Sequence, residues 1–338
     1  MAVRGWRFAV LAVGLTAALI GGAEVPTGAS PSSLDTKTAC LYPHNSLATL
    51  ASTGRAVGRP YACAMVYNTA APTWQEWASP WFTHDDDPDQ DFAAWLSGAP
   101  GRLLVISQAM VPTKSPADWA HAGATGAYDG WIRTLAGNLV AAGMGGSIIR
   151  LGFEANGDWN IDSVGSTPSA QADWRAYWAR FVSVVRSVPG AHFQFDWTVN
   201  AGWRGLPLAA WYPGDAAVDI VGVDFYDTSA AHRTYQNVLS RWAGEFGEPD
   251  GPSQVIAFAN AHHKPLSIPE WGVVQTSKWG AGDNPVYVNG IASVVANNAV
   301  RYQGYFDATT GGVIPLTEAP RALANYRAHF GPGGDAAR

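Results

Sequence analysis

The sequence is poor in cysteine, which limits the sites that it can build. Only Cys40 and Cys63 occur among 338 residues. A metal site on them is disfavoured, because no pair of histidines occurs at the spacing that zinc ligands need. In an exported protein the two cysteines are expected to form one disulfide, and two unpaired buried thiols are the alternative.

Charge is also scarce, and several common motifs are missing. Charged residues make up 14% of the chain, and 21 Lys and Arg against 27 Asp and Glu give a net charge of −6. Nucleic-acid footprints are basic and clustered, so nucleic acid is excluded as a partner. GxSxG and HExxH are absent, which disfavours an esterase or zinc peptidase; no GxGxxG or GxxxxGK[ST] phosphate cradle occurs. We expect no cofactor and no metal.

Long apolar runs are missing except at the start of the chain. Arg4 and Arg7 precede an apolar run over residues 8–20, and small residues follow up to Ala29. This order is typical of a secretory signal peptide, and the run is short for a membrane span. We predict a signal peptide at 1–29, a linker at 30–38 and a catalytic domain at 39–330. The product would be secreted and free of the membrane after cleavage at Ala23 or Ala29, and an uncleaved anchor is the alternative.

Beyond the linker, apolar β-branched runs alternate with helical patterns. Such alternation indicates a parallel sheet that is buried on both faces. Eight units in this length predict an α/β fold of the (β/α)8 TIM-barrel type, with a doubly wound open sheet as the alternative. The candidate strands are Ala39–Tyr42, Tyr61–Tyr67, Arg102–Gln108, Ser147–Phe153, Phe193–Val199, Ile220–Phe225, Pro265–Pro269 and Gly304–Ala308.

Two glutamates directly follow buried strands. Glu154 ends the fourth candidate strand and Glu270 the seventh. In a barrel the carboxyl ends of the strands form the active-site face, so the two side chains are expected to meet there. A pair of carboxyl groups is what glycosidic bond cleavage needs. The alternatives are a salt bridge with an arginine for Glu154 and a helix N-cap for Glu270.

The residues around these glutamates form a wider pattern, which consists of Arg150 with Glu154, Asn156-Gly157, Trp159, Trp174-Arg175, Trp178, Trp197, Asn200, 219–226 and 269–272. This pattern resembles that of clan A glycoside hydrolases, and most closely that of glycoside hydrolase family 26, the β-mannanase family. The likeness spans roughly residues 60–310. Family members carry His directly before the acid/base glutamate, and this chain departs from them with Phe153.

The resemblance implies a role for each glutamate. Glu154 would be the general acid/base and Glu270 the nucleophile of a retaining hydrolase. An acid/base needs a pKa near neutral, which apolar neighbours supply by desolvation. Arg150 and Tyr226 are the candidates for keeping Glu270 ionised.

A further group of residues is predicted to bind the substrate. The chain has 16 tryptophans, and indole faces suit sugar rings, although packing at the barrel rim is an equal alternative for each. Asp224 would bond a sugar hydroxyl or pair with Arg150. The predicted substrate-binding residues are Arg150, Asn156, Trp159, Trp197, Asn200, Asp224, Tyr226 and Trp271.

The sequence thus predicts a secreted, monomeric, retaining and endo-acting hydrolase of a β-linked polysaccharide or oligosaccharide, with mannan as the first choice. The alternative is a barrel that binds carbohydrate without cleaving it, and Phe153 is the residue that favours it.

Overall fold

The computed structural model describes residues 39–83, 86–202, 205–228, 236–248 and 250–334. The predicted signal peptide and linker lie outside the described residues, so both stay predictions. Within the described ranges, no helix combines the length and the apolar character needed to cross a bilayer.

Eight parallel strands close into a barrel in which each strand pairs with its neighbours in chain order. This confirms the predicted (β/α)8 fold. The first and last strands close the sheet through four register pairs, from Ala39 with Gln303 to Tyr42 with Phe306. The strands are β1 Ala39–Tyr42, β2 Cys63–Asn68, β3 Leu103–Gln108, β4 Ile148–Leu151, β5 Gln194–Asn200, β6 Ile220–Asp224, β7 Leu266–Trp271 and β8 Val300–Phe306.

Helices surround the barrel and cover its outer face. Side-chain caps fix several of their starts, as where Thr167 accepts from the Ala170 backbone N–H and Asn284 from that of Val286. The α-helices are α1 Leu47–Val57, α2 Trp74–Ala78, α3 Phe92–Ser97, α4 Trp119–Ala124, α5 Asp129–Ala141, α6 Pro168–Arg186, α7 Leu208–Trp211, α8 Val238–Phe246, α9 Pro252–Ala261, α10 Pro285–Asn297 and α11 Pro320–Phe330. Short 3₁₀ turns lie at Trp81–Thr83, Thr276–Lys278, Thr310–Gly312 and Leu316–Glu318.

The last strand is the one whose predicted position is wrong. It begins at Val300, four residues before the expected Gly304. Arg301 and Gln303 interrupt its apolar pattern, which hides the strand in the sequence. Gly304 lies inside the strand, and this position requires glycine because a Cβ there would meet the Met65 sulfur at 2.4 Å. The shift leaves the ordinal positions of Glu154 and Glu270 unchanged.

The barrel interior changes character along its axis. Its amino-terminal half is apolar, with Val105, Ile148 and Ile220 in one buried cluster around the cysteines. Its carboxyl-terminal half holds buried polar side chains. Asp196 accepts hydrogen bonds there from Ser267 and Tyr302, each at 2.6 Å. The active-site face therefore stands on a hydrogen-bonded polar layer.

Gly222 on β6 is required by this polar layer. A Cβ at this position would lie within 2.8 Å of the Ser267 and Thr198 hydroxyls and of an Asp196 oxygen. The space beside the glycine is filled by the network that supports the site.

Most tryptophans serve packing on the outer face of the barrel. Trp174 and Trp178 on α6 are fully buried, as their helical spacing predicts, and Trp131 on α5 is partly buried against the same core. The indole N–H groups of the two α6 tryptophans find partners: Trp178 donates to the Leu151 carbonyl at 2.9 Å and Trp174 to the Asp162 carbonyl at 2.8 Å.

The predicted disulfide joins Cys40 on β1 to Cys63 on β2 inside the barrel. Closing a loop with a sequence separation of 23 stabilises the fold by about 3 kcal/mol through the unfolded chain. The double variant Cys40→Ala/Cys63→Ala should lose about that much free energy of unfolding in urea titrations. Reductant should destabilise the wild type to the same level and leave the variant unchanged. A variant as stable as the oxidised wild type would contradict the prediction.

Candidate active site

Glu154 and Glu270 meet at the carboxyl ends of β4 and β7. One carboxylate oxygen of each lies within 4.8 Å of the other, and an Asp224 oxygen lies within the same distance of both. Both glutamates are largely buried, with 8% and 6% of their surfaces exposed. Two residues that are 116 positions apart in the chain thus form one acidic pair at the barrel mouth.

A sharp turn after β4 aims Glu154 at the mouth. Gly152 and Glu154 both have left-handed backbones, with φ of +53° and +52°. That conformation is unfavourable for glutamate and is typical of functional positions. A hydrogen bond of 3.0 Å from the Glu154 N–H to the Thr198 carbonyl on β5 holds it.

Two donors fix the Glu154 carboxyl group. Asn200 Nδ2 donates to Oε1 at 2.6 Å, and Trp159 Nε1 donates to Oε2 at 2.9 Å. Burial and then the negative charge of Glu270 raise the pKa of Glu154 to about 7, against the opposing effects of both donors and of Arg150. Glu154 can therefore hold or release a proton near neutral pH.

Asn156 supports Asn200 and does not reach the cleft. Its amide donates to the Asn200 carbonyl at 2.8 Å and accepts from the Asn200 N–H at 2.9 Å. Asn156 has no exposed surface, so the expectation of substrate contact at this residue is corrected. Its paired bonds orient the side chain that holds Glu154.

A bulge in β7 aims Glu270. Between the register pairs of Ile268 and Trp271, the two residues Pro269 and Glu270 of β7 face the single residue Gly304 of β8, so one residue is extra. Such bulges re-aim side chains next to active sites. Tyr226 donates to Glu270 Oε2 at 2.8 Å, and the Glu270 N–H donates to Asp224 at 2.9 Å.

Arg150 lies beneath the acidic pair. It donates to Glu270 Oε1 at 2.7 Å, to the Ser107 hydroxyl at 2.8 Å and to Asp224 Oδ2. The Phe153 ring covers the guanidinium at 4.8 Å. Arg150 and Asp224 are 0% and 1% exposed, so the predicted substrate contacts are corrected for both. Arg150 neutralises Glu270 from below, and Asp224 positions it by accepting from its backbone N–H.

The predicted contacts of Trp197 and Trp271 with substrate are corrected as well. Both side chains are fully buried on the outer face of the barrel. Trp197 packs on Trp211 at 4.4 Å between ring centroids, and Trp271 packs on Tyr305 at 5.0 Å. Trp159, Asn200 and Tyr226 remain as predicted binding residues with exposed surface at the mouth.

The sequence analysis missed an aromatic group at the ends of β1, β2 and β8. Tyr42, Tyr67 and Phe306 contact one another with centroids 4.6–6.3 Å apart. Burial and the charge of Glu270 raise the pKa of Tyr42 to about 12, which ties the group to the acidic pair. The alternation of inward and outward residues along the strands could have identified them, because all three occupy inward positions at strand ends.

Two adjoining cavities border the mouth. One of about 520 Å³ is lined by Tyr42, Tyr67 and Phe306, and one of about 560 Å³ by Phe153 and Trp159. Thr69 lines both. Volumes of this size accommodate sugar rings with several polar contacts.

The three carboxylates at the mouth are also the candidate metal ligands within the described ranges. Two of them, Asp224 and Glu270, already accept hydrogen bonds from Arg150. The guanidinium supplies the positive charge that a cation would bring, and the arrangement is that of an ion pair. The two glutamates are therefore arranged for acid–base and nucleophilic chemistry.

Comparisons with known proteins agree with this geometry. Residues 138–248, which hold β4, β5, β6 and Glu154, match the profile of Glycosyl hydrolase family 26. No curated protein matches the sequence.

Among solved structures, the fold is similar to that of mannanases. The Bacillus subtilis mannanase BCman superposes with a TM-score of 0.57 at 14% identity, covering 87% of this chain and 85% of that one. The Bacillus subtilis mannanase man26 gives 0.57 at 15% identity, with 88% and 86% covered. A modular endo-β-1,4-mannanase from Cellulomonas fimi gives 0.56 at 17% identity, with 83% and 65% covered. At these identities the likeness shows the shared barrel.

The family match concerns the sequence itself, and it covers the segment that contains the turn at Glu154. Over residues 138–248 the chain is therefore similar to glycosyl hydrolase family 26, and it shares its (β/α)8 barrel with the mannanases above.

Proposed function

We propose that the chain is a secreted, retaining hydrolase of β-linked, mannan-type polysaccharides, with Glu154 as acid/base and Glu270 as nucleophile. The observation that carries the proposal is the pairing of two nearby carboxyl groups with opposed environments. Burial raises the pKa of Glu154 to about 7, whereas Glu270 accepts from Arg150 at 2.7 Å and Tyr226 at 2.8 Å.

In the first step Glu154 donates its proton to the glycosidic oxygen. Glu270 attacks the anomeric carbon as the bond to that oxygen breaks, and a covalent glycosyl-enzyme forms. Closest oxygens within 4.8 Å of each other support this mechanism, because an inverting pair needs roughly 6.5–9.5 Å between its carboxyl groups for a water.

In the second step Glu154 acts as the base. It removes a proton from water, the water oxygen attacks the anomeric carbon, and Glu270 leaves as a carboxylate held by Arg150 and Tyr226. Loss of the charge on Glu270 in the intermediate removes one cause of the raised pKa of Glu154, so Glu154 loses its proton more readily before the step in which it must act as the base.

The choice of mannan rests on the likeness to proteins that are named mannanases. The adjoining cavities at the mouth, which share Thr69, support binding of several sugar units and hence endo action. The disulfide supports an extracellular setting.

The raised pKa of Glu154 predicts the pH dependence. Its protonated form is the active acid, so kcat/KM on mannan should fall as pH rises through about 7. The measurement is a pH profile of reducing-end release. The Glu154→Gln variant, assayed on an activated aryl glycoside, should lose this alkaline limb. If the variant kept the same fall in kcat/KM at high pH, that fall would be caused by another titrating group.

Glu154→Gln also tests the role by leaving group. On polysaccharide, removing the acid should lower kcat/KM by roughly 10²–10⁴-fold. On a dinitrophenyl glycoside, whose leaving group needs no proton, formation of the glycosyl-enzyme should persist and a burst of phenolate should appear. Full activity on mannan would refute the assignment. Wild-type protein that binds mannooligosaccharides without releasing reducing ends would instead indicate a carbohydrate-binding barrel.

A further inference from the structure

A third cavity lies along α1 on the outside of the barrel and reaches the amino ends of β2 and β3. It has a volume of about 550 Å³ and is bordered by Tyr61 before β2, Arg102 before β3 and the last turn of α1. These positions mark the amino ends of the strands, whereas the acidic pair lies at their carboxyl ends. The cavity is thus separate from the candidate active site.

The cavity combines apolar walls with arginines. Arg55, Arg59 and Arg102 all border it, and none of its bordering residues in the described part of the chain is acidic. This grouping is unusual in a chain with a net charge of −6. The remaining wall is formed by Leu47, Leu50, Ala51, Gly54, Gly58, Pro60, Tyr61 and Trp95.

Arg102 is held ready for a ligand. Its guanidinium stacks on the Trp95 ring at 4.8 Å and donates to the Trp95 carbonyl. No carboxylate pairs with Arg102 or Arg55 among the residues that the structure describes. A guanidinium that is fixed on an indole presents its remaining N–H groups with little loss of freedom.

The C-terminus of α1 does not account for Arg55. The last carbonyls of that helix accept from the N–H groups of Gly58 and Arg59, and Arg327 donates to the Ala56 carbonyl. Arg55 is therefore not needed as a hydrogen-bond donor at the helix end, and its guanidinium adds positive charge to the cavity rim.

We propose that this cavity binds an organic anion with an apolar body, such as a carboxylate or phosphate carried on an aromatic or alkyl group. The guanidinium groups suit the planar or tetrahedral anion. The leucines, Ala51 and Pro60 suit a hydrocarbon body better than a sugar, because the Trp95 face is already covered by Arg102. The proposal is independent of the function proposed for the acidic pair.

Calorimetric titration of the full chain with four probes tests the proposal. 3-Phenylpropionate or phenyl phosphate should bind at least tenfold more tightly than neutral 3-phenylpropanol and than inorganic phosphate. Preference between the two anions distinguishes a carboxylate ligand from a phosphate ligand. Equal binding of the alcohol, equal binding of inorganic phosphate, or no binding of either organic anion would overturn it.

The variant Arg55→Gln/Arg102→Gln completes the test. It should lose at least tenfold in affinity for the organic anion while hydrolysing mannan as the wild type does and keeping its melting temperature. Arg175→Gln, a substitution of a helix α6 arginine outside the cavity, is the matched control. Undiminished anion binding in the double variant would overturn the proposal. If the double variant fails to fold, Arg102→Lys alone decides, since it keeps the charge but loses the planar fork and should weaken binding.

Discussion

Replacing Glu270 by alanine is expected to abolish hydrolysis, with kcat/KM lowered on the order of 10⁴-fold or more, as for other lost nucleophiles. The side chain is held by Arg150 and Tyr226 and faces Glu154 within 4.8 Å, so its truncation removes the carboxylate that is positioned to attack the anomeric carbon. Reducing-end release from mannan measures the loss. The fold should persist, because the backbone N–H of residue 270 keeps its bond to Asp224.

Azide rescue separates the two carboxyl roles. In Glu270→Ala, azide would occupy the vacated space and attack an activated glycoside directly, which inverts the anomeric configuration. In Glu154→Ala, azide would attack the glycosyl-enzyme on Glu270, so the product keeps the configuration of the substrate. NMR of the glycosyl azides reads both outcomes. The reverse pattern would exchange the two roles, and activity retained by Glu270→Ala on mannan would end the proposal.

Arg150→Met is expected to be the most destabilising single substitution considered, at about 3–5 kcal/mol, because it strands buried carboxylates without their cation. Burial raises the pKa of Asp224, and the charge of Arg150 is what opposes this rise. Without the guanidinium, Asp224 should take up a proton, and Glu270 loses the donor that holds its Oε1 in place for attack. Urea unfolding and kcat/KM on mannan should therefore both fall.

Arg180→Met is the matched control. Arg180 makes two 2.8 Å bonds to Asp129, but its side chain is 40% exposed, so solvent screens the pair. Its replacement should cost much less stability and leave hydrolysis intact. Adding Asp224→Asn to Arg150→Met should recover part of the stability, since one stranded charge is removed. Equal losses for the two arginines would show that the buried network has no special role.

The fold was predictable because its signal is redundant. Eight apolar runs of strand length alternate with helical patterns, and an error in one run, such as the late start predicted for β8, leaves the count unchanged. The meeting of Glu154 and Glu270 follows from that count, because the carboxyl ends of parallel strands share one face.

Whether an individual side chain points into or out of the barrel was predicted less well, although alternation along a strand determines it. Trp197 shares its face of β5 with Phe195 and Val199, which are buried outside the barrel, while Thr198 points inward. Trp271 directly follows the inward Glu270 and must therefore point outward. Nearness in sequence to a carboxylate was the wrong guide for both tryptophans.

Other features depend on the tertiary structure. The bulge in β7 inserts one residue opposite β8, and no local pattern marks it. Arg150 has the inward parity of its strand, but its depth below the mouth is set by Ser107, Asp224 and Phe153 from the surrounding chain. These contacts turn an expected substrate ligand into a buried counter-ion.

A closed sheet is held least firmly where neighbouring strands share the fewest register pairs. β1 and β2 share two register pairs, as do β6 and β7, against six between β2 and β3, and the Cys40–Cys63 bond lies in the first of these two short ladders. A covalent link there prevents the first strand from peeling away, and its loop spans only the first helical unit. The disulfide thus links the barrel covalently at one place near the start of the chain. In a reducing medium this link is lost, and we expect β1 to separate first from the sheet.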